Sequence, residues 1–365
     1  MSLEAARKAV RFLEENMVDG EIGEPHLKQS GVVTFPLVRE GFHTIESRKS
    51  GRKLAFVDGG NQEVIGAPNF SVQLNRIYSM AWKGRARERW TLPRIEYFSS
   101  TLSCFKNDDI HYETTVVPSV QDTEKYLPDA KHLSFSSMER SLMNGNQRAD
   151  IGRVGSVARR FGEWRLALNA LDELSEGDIL VMDGTLQSNF KNEVEYVKAL
   201  SEKARERGVI LTGVSKTSTI FTTKGLSLLG AVNTLAEKEA LKGNWYFPVA
   251  ESTAVDHDVI ITIAKLNQVA DWVFRVEIQR EHYNKMGDQV EEIFSLLCEN
   301  SCDPTFPGYP YGLIDADRFA RVSFDEIAYY RSLIVSEISK LGKASRFLPH
   351  IHSGDAHDIL NLLVR

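Results

Sequence analysis

Cysteine is scarce in this chain of 365 residues: Cys104, Cys298 and Cys302 are the only three, with no pair at C-x-x-C spacing. That excludes a disulfide framework and a structural zinc site, and suits a reducing compartment. Long apolar runs are missing too. None approaches the roughly 20 residues that cross a bilayer, and the charged stretch Met1–Met17 lacks the apolar core of a secretory signal. A cytoplasmic protein with no membrane association is expected. Positive charge is not in excess either, with 44 Lys+Arg against 50 Asp+Glu and a net charge of −6. Binding nucleic acid over the whole surface is therefore excluded. Such contact would need local basic patches, metal ions that offset acidic groups, or a partner. Internal repeats, low-complexity segments and an evident linker are absent.

What is present suits a globular protein: 42% hydrophobic and 26% charged residues, enough for a large core. Leu3, Ala6, Val10, Leu13 and Met17 recur at helical spacing behind a possible Ser2 cap. This helix is expected to pack on the domain, with a subunit contact as the other reading. Residues 1–50 read as a helical and irregular extension, and 51–365 as the main domain with helices at its C-terminal end. The run Lys53–Val57 predicts a buried strand that stops at a turn in Asp58-Gly59-Gly60. Antiparallel strands are expected over 69–82, 94–104 and 111–120, and helical pattern over 135–172. Asp178–Asp183 predicts a second buried strand ending at Asp-Gly, 192–207 a helix, and 209–215 a third strand. That order is a βαβ unit, with its two strands parallel. A late strand pair (259–265 and 272–278) and helices at 288–299, 313–322 and 325–341 complete the α/β pattern.

Two strands ending in Asp-Gly suggest chemistry. Ligand sites of open α/β sheets lie at carboxyl ends of strands. If the two strands are neighbours, Asp58 and Asp183 share a crevice, where their repulsion calls for a cation such as Mg²⁺ or Mn²⁺. Two such ions suit phosphodiester hydrolysis. Either Asp-Gly alone reads as a plain turn. Glu163 sits about 120° from the centre of its helix's apolar stripe, which allows it to reach the site; a solvated surface glutamate is the plainer reading. Lys216 follows the third strand and could hold a phosphate. Two arginine-rich stretches, one with Arg87 and Arg89 near Trp90, the other with Arg159 and Arg160, could track a DNA backbone or line a solvated face. His350, His352, Asp355, His357 and Asp358 could bind metal or form a solvated tail.

Taken together, Phe56-Val57-Asp58-Gly59-Gly60, the helix with Arg160 and Glu163, Val181-Met182-Asp183-Gly184-Thr185-Leu186, Lys216 and Pro307-Gly308-Tyr309-Pro310-Tyr311-Gly312-Leu313 resemble the NurA family of nucleases over about residues 50–320. The resemblance implies an RNase H-like core: a mixed sheet flanked by helices, with helical additions at both ends. It also implies a Mn²⁺- or Mg²⁺-dependent DNA nuclease, with two ions, that resects ends 5′ to 3′ and cuts single strands. Such enzymes act as homodimers docked on the hexameric translocase HerA, alongside Mre11–Rad50. By position Asp58, Glu163 and Asp183 match the family's metal-binding acids and Tyr309 its active-site tyrosine, which would position substrate or stack on a base. Two positions depart from the pattern: Asp317 stands where the family has histidine, and Gly312 where it often has proline. Asp317 would complete the metal shell. A DNA-binding adaptor subunit that kept the fold is the alternative. An actin- or sugar-kinase-like ATPase is another, though residues 260–320 offer no Gly-rich adenosine loop.

Overall fold

The computed structural model describes residues 3–17 and 21–351. In chain order the main elements are α1 (Leu3–Asn16), β1 (Leu54–Ala67), β2 (Phe70–Lys83), β3 (Ile95–Lys106), β4 (Asp109–Pro118), α2 (Arg153–Ala170), β5 (Ile179–Asp183), α3 (Glu193–Arg207) and β6 (Ile210–Ser215). Then follow α4 (Leu228–Lys238), β7 (Trp245–Ala254), β8 (His257–Lys265), β9 (Phe274–Gln279), α5 (Arg280–Met286), α6 (Val290–Asn300), α7 (Tyr311–Ala320) and α8 (Phe324–Lys340). The chain forms two compact units, one of residues 1–48 with 214–309 and one of 49–213 with 310–365. Residues 1–48, set apart from 51–365 by sequence pattern, thus share a unit with a later segment.

In the second unit, β1 to β4 form an antiparallel meander, and β5 pairs with β1 in parallel from Ile179 beside Leu54 to Met182 beside Val57. β6 is the next strand beyond β5. This is the mixed sheet expected. Leu54, Ala55, Phe56 and Val57 are buried, as are Ile179 to Met182, so these runs are apolar because both faces of the sheet are covered. Helix α2 packs against β1, β2 and α3. It begins at Arg153. The first part of the stretch expected to be helical, from 135 up to Arg153, holds instead a two-residue strand, Phe135–Ser136, followed by turns and irregular chain. Val64, Leu74 and Val322 form a small core under Ile327, Tyr330 and Ile334 of α8.

In the first unit, β7, β8 and β9 form an antiparallel meander. β7 was not anticipated from the sequence. Phe294 of α6 stacks on Tyr246 at 4.0 Å. The expected packing of α1 is not found: none of its residues is buried, and Leu3, Val10, Phe12 and Leu13 are all exposed. Its apolar stripe follows helical period, but period alone does not say what covers it. No helix among the described residues is long and apolar enough to cross a membrane.

Candidate active site

The site forms where β5 ends. Val57 and Met182 are the last paired residues of β1 and β5, so Asp58 and Asp183 are the next residues on adjacent parallel strands and share a face. Beyond that point β1 does not stop. The expected turn at Asp58-Gly59-Gly60 is corrected: β1 runs through these residues and on to Ala67, paired with β2 throughout. Neither glycine has positive φ. They are needed for room. A Cβ on Gly59 would stand 2.6 Å from Glu163 Oε1, and one on Gly60 would stand 2.6 Å from the Ala320 carbonyl oxygen. Side chains alternate along a strand, so Gly59 faces α2, while Phe56, Asp58 and Gly60 face α7. The second Asp-Gly is a true turn, with Gly184 at φ +98°.

Glu163 is buried, at 2% exposure, so the surface reading fails. The helical wheel misplaced it because α2 is enclosed on nearly every side, its polar side included. Burial raises the Glu163 carboxyl pKa; Arg159 and Arg160 oppose that shift, and the Asp183 carboxylate adds to it. Arg159 forms an ion pair with Glu163 Oε1 and donates to the Gly59 carbonyl at 3.3 Å. Its own pKa is raised, first by Glu163 and further by Asp58. Asp58 is buried and accepts the Gly59 N–H on Oδ1 at 2.7 Å. The two aspartates and the glutamate therefore form one electrostatic cluster with Arg159.

Arg160 lies 3.5 Å from Glu163 Oε2 but is held elsewhere: Nε on Glu193 Oε1 at 3.0 Å, Nη2 on the Thr185 carbonyl at 2.7 Å, and its guanidinium 4.2 Å from the centre of the Trp164 ring. Glu193 is a residue that sequence reading missed. Fully buried at the start of α3, it also accepts from Trp164 Nε1 (2.7 Å) and the backbone N–H groups of Asn189 and Phe190. It thus fixes the loop that leaves Gly184. The only hint was an acidic residue in the first helical turn, which is common.

Asp317 is exposed on α7 and lines a cavity of about 700 Å³ with Gly59, Gly60, Asn61 and Gln62. Gly312 occupies the proline position for a steric reason: a Cβ there would lie 2.1 Å from the Phe56 ring. Arg87 is taken up by Tyr78, by Asp315 at 3.6 Å and by the Phe319 ring at 5.3 Å, while Arg89 is exposed. Lys216 and Tyr309 belong to the first unit, where the Lys216 ammonium lies 5.3 Å from the Tyr309 ring centre. Tyr309 is fully buried against Phe274 and Phe306. With no exposed face, it has none for a base, and the stacking role expected of it falls away. Of the C-terminal His/Asp group, His352, Asp355, His357 and Asp358 lie outside the described residues.

The NurA domain family matches residues 52–322. The chain belongs to the NurA family. Membership carries the RNase H-like class and makes nuclease the class of activity. Among solved structures, the NurA nuclease from Sulfolobus solfataricus aligns with 92% of this chain and 94% of its own, at 13% identity and a TM-score of 0.49. A second NurA crystal structure aligns with 92% and 98%, at 9% identity and a TM-score of 0.47. A search of curated proteins returned no match.

The donor set suits a hard divalent cation: it is all oxygen, and Glu163 is a buried carboxylate whose charge needs a counterion. In the arrangement described, Arg159 supplies that charge. Among the described residues no three His, Cys, Asp or Glu side chains stand close enough to hold an ion as they are. Coordination would need Glu163 to exchange Arg159 for the ion.

Proposed function

We propose that this NurA-family protein is a divalent-metal-dependent deoxyribonuclease. It would hydrolyse DNA 5′ to 3′ from ends and cut single strands, as a homodimer working with a HerA-type translocase and the Mre11–Rad50 machinery. The observation that supports the reading is that Asp58 and Asp183 stand side by side where β5 stops pairing with β1, with Glu163 buried on α2 in the room that Gly59 leaves and within the field of Asp183.

Asp58, Glu163 and Asp183 would hold the ions, Mn²⁺ or Mg²⁺, with Asp317 beside them on α7. When bound, the ions supply Lewis-acid stabilisation of charge on the phosphate oxygens. Arg159, released from Glu163, remains at the strand ends as a cation for a phosphate. Arg160 cannot move so freely; its bonds to Glu193 and Thr185 make it a support for the Gly184 turn. Lys216, exposed after β6, is assigned a phosphate contact, and Arg89 a contact with the DNA backbone.

The test is incubation with end-labelled single-stranded DNA and Mn²⁺, with Asp58→Ala beside the parent protein. Cleavage that requires both the metal and Asp58 supports the reading. One observation favours the adaptor alternative: the Arg159–Glu163 ion pair, which balances the Glu163 carboxylate without metal. DNA binding without cleavage by either protein, with the translocase present as well, would move that alternative ahead.

A further inference from the structure

The burial of Tyr309 leaves the site without the aromatic platform expected of it, and another aromatic residue is better placed. Phe324 is 81% exposed, the highest value among the large hydrophobic residues described. It opens α8 and lines the cavity that contains Gly59, Gly60 and Asp317. Folding gives no reason for its exposure, since the α8 residues that pack on the sheet are Ile327, Tyr330 and Ile334. The turn that carries Phe324 is held rigidly. Arg76, at 3% exposure, donates to the Arg321 carbonyl at 2.6 Å and pairs with Glu326 at 2.7 Å. Ser323 and Glu326 close a reciprocal cap at the same helix end.

The rest of the cavity has matching chemistry. Opposite the turn run Asn61 and Gln62, the two residues after Gly60 on β1. Gln62 is exposed and lies on the face that Gly60 turns to α7, whereas the Asn61 amide points to the α2 face, where it donates to Gln73 Oε1 at 2.7 Å. Arg321, also exposed, adds one cation. Past Met182 no strand among the described residues pairs with the β5-side edge of β1, and the cavity reaches β1 at Gly59 and Gly60, the two residues after Asp58. Its volume, about 700 Å³, lies within the ~300–1,000 Å³ of small-ligand sites. That is the size of one or two nucleotides.

We infer that Phe324 is a stacking platform for one unpaired base of the DNA strand, beside the phosphate presented to Asp58 and Asp183, with the amide of Gln62 facing the base edge. This rests on the nuclease reading and adds to it the residue that receives an unpaired base of the strand being cut. Every base has a π face, so the contact would be tolerant of sequence.

The test walks one abasic residue along a fluorescent single-stranded oligonucleotide. Binding to the full chain is measured by anisotropy without divalent metal, for the parent, Phe324→Ala and Phe324→Trp. Stacking predicts about a tenfold loss for Phe324→Ala on the intact strand. It also predicts one abasic position that costs the parent about as much and costs Phe324→Ala almost nothing further, with Phe324→Trp restoring binding. Because Phe324 is exposed, thermal melting should not change. An unaltered affinity for Phe324→Ala, or an abasic penalty that persists in it, overturns the inference. Cleavage with Mn²⁺ is assayed in parallel. Normal metal-dependent cleavage beside a neutral Phe324→Ala removes the platform and leaves the nuclease; failure of the parent to bind DNA removes both.

Discussion

In β1 the chain passes straight through Asp58-Gly59-Gly60, whereas after β5 it turns at Gly184. In the first case glycine serves by lacking a side chain. Gly59 makes room for Glu163, and Gly60 for the end of α7. In the second it serves by its backbone: φ is +98° and the nearest atom to an added Cβ, Arg160 Nη1, is 4.0 Å away. The same dipeptide therefore does steric work on one strand and conformational work on the next. The lesson is that strand-terminal Asp-Gly is not one signal. What the two places share is the aspartate and its position at the point where β5 stops pairing with β1.

The comparison can be broken most severely from the Gly184 side through Glu193. Glu193→Ala leaves Arg160 and Trp164 Nε1 buried without their acceptor and frees the loop after Gly184. Loss of one partner from a buried charge pair costs about 3–5 kcal/mol. Denaturant unfolding should show it, and a loss under about 1 kcal/mol would mean that the network is not what holds the loop.

Gly59→Ala should act on the other side, and on activity before stability. Its methyl would push on Glu163 Oε1 and on Arg159 Cγ, 3.1 Å away. Misplacing a catalytic group by ångströms costs roughly 10²-fold, so cleavage should fall by about ten- to a hundredfold while the fold persists. Gly184→Ala gives the opposite profile. It meets no neighbour but must hold a positive φ, a strain of about 1–2 kcal/mol. It should lower the unfolding free energy by that amount and change cleavage less than Gly59→Ala does. If the two variants give the same ratio of activity loss to stability loss, the division into steric and conformational glycine is wrong.

Much of the second unit was legible in the sequence because its strands obey simple rules. Runs such as Leu54–Val57 and Ile179–Met182 are apolar throughout, as strands covered on both faces must be, and the order strand, helix, strand made β5 and β6 parallel. That β1 lies beside β5, which brings Asp58 next to Asp183, was only a condition in the sequence and is met in the structure. Glu163 could not be placed, since its burial depends on what encloses α2 from beyond its own apolar stripe. Tyr309 was legible as a motif but not as a buried ring. Phe324 carried no signal at all: an aromatic residue in the first turn of a helix reads as core until the sheet-facing positions are seen to be Ile327, Tyr330 and Ile334. Exposure against periodicity is a property of three-dimensional packing, and so was the lone state of α1.

The smallest effect expected is a pH dependence on the α7 side of β1. The Arg76 guanidinium, with help from Ser323, holds the Glu326 carboxyl down to about 2 from its ordinary 4.5. A carboxyl group depressed by folding contributes stability that is complete above its unfolded value and disappears as pH falls through the folded one. The contribution should therefore be full above about pH 5 and fade between about 4.5 and 2. Glu326 is 39% exposed, so solvent screening keeps it small, and Glu96 continues to hold Arg76 at 2.9 Å. Unfolding curves of the parent and Glu326→Gln should differ by a constant amount near neutrality and converge below about pH 3. Acid should accordingly loosen the Arg321–Phe324 turn as Glu326 takes up its proton, and a parallel-sided acid response in both variants would show that Glu326 does not hold it.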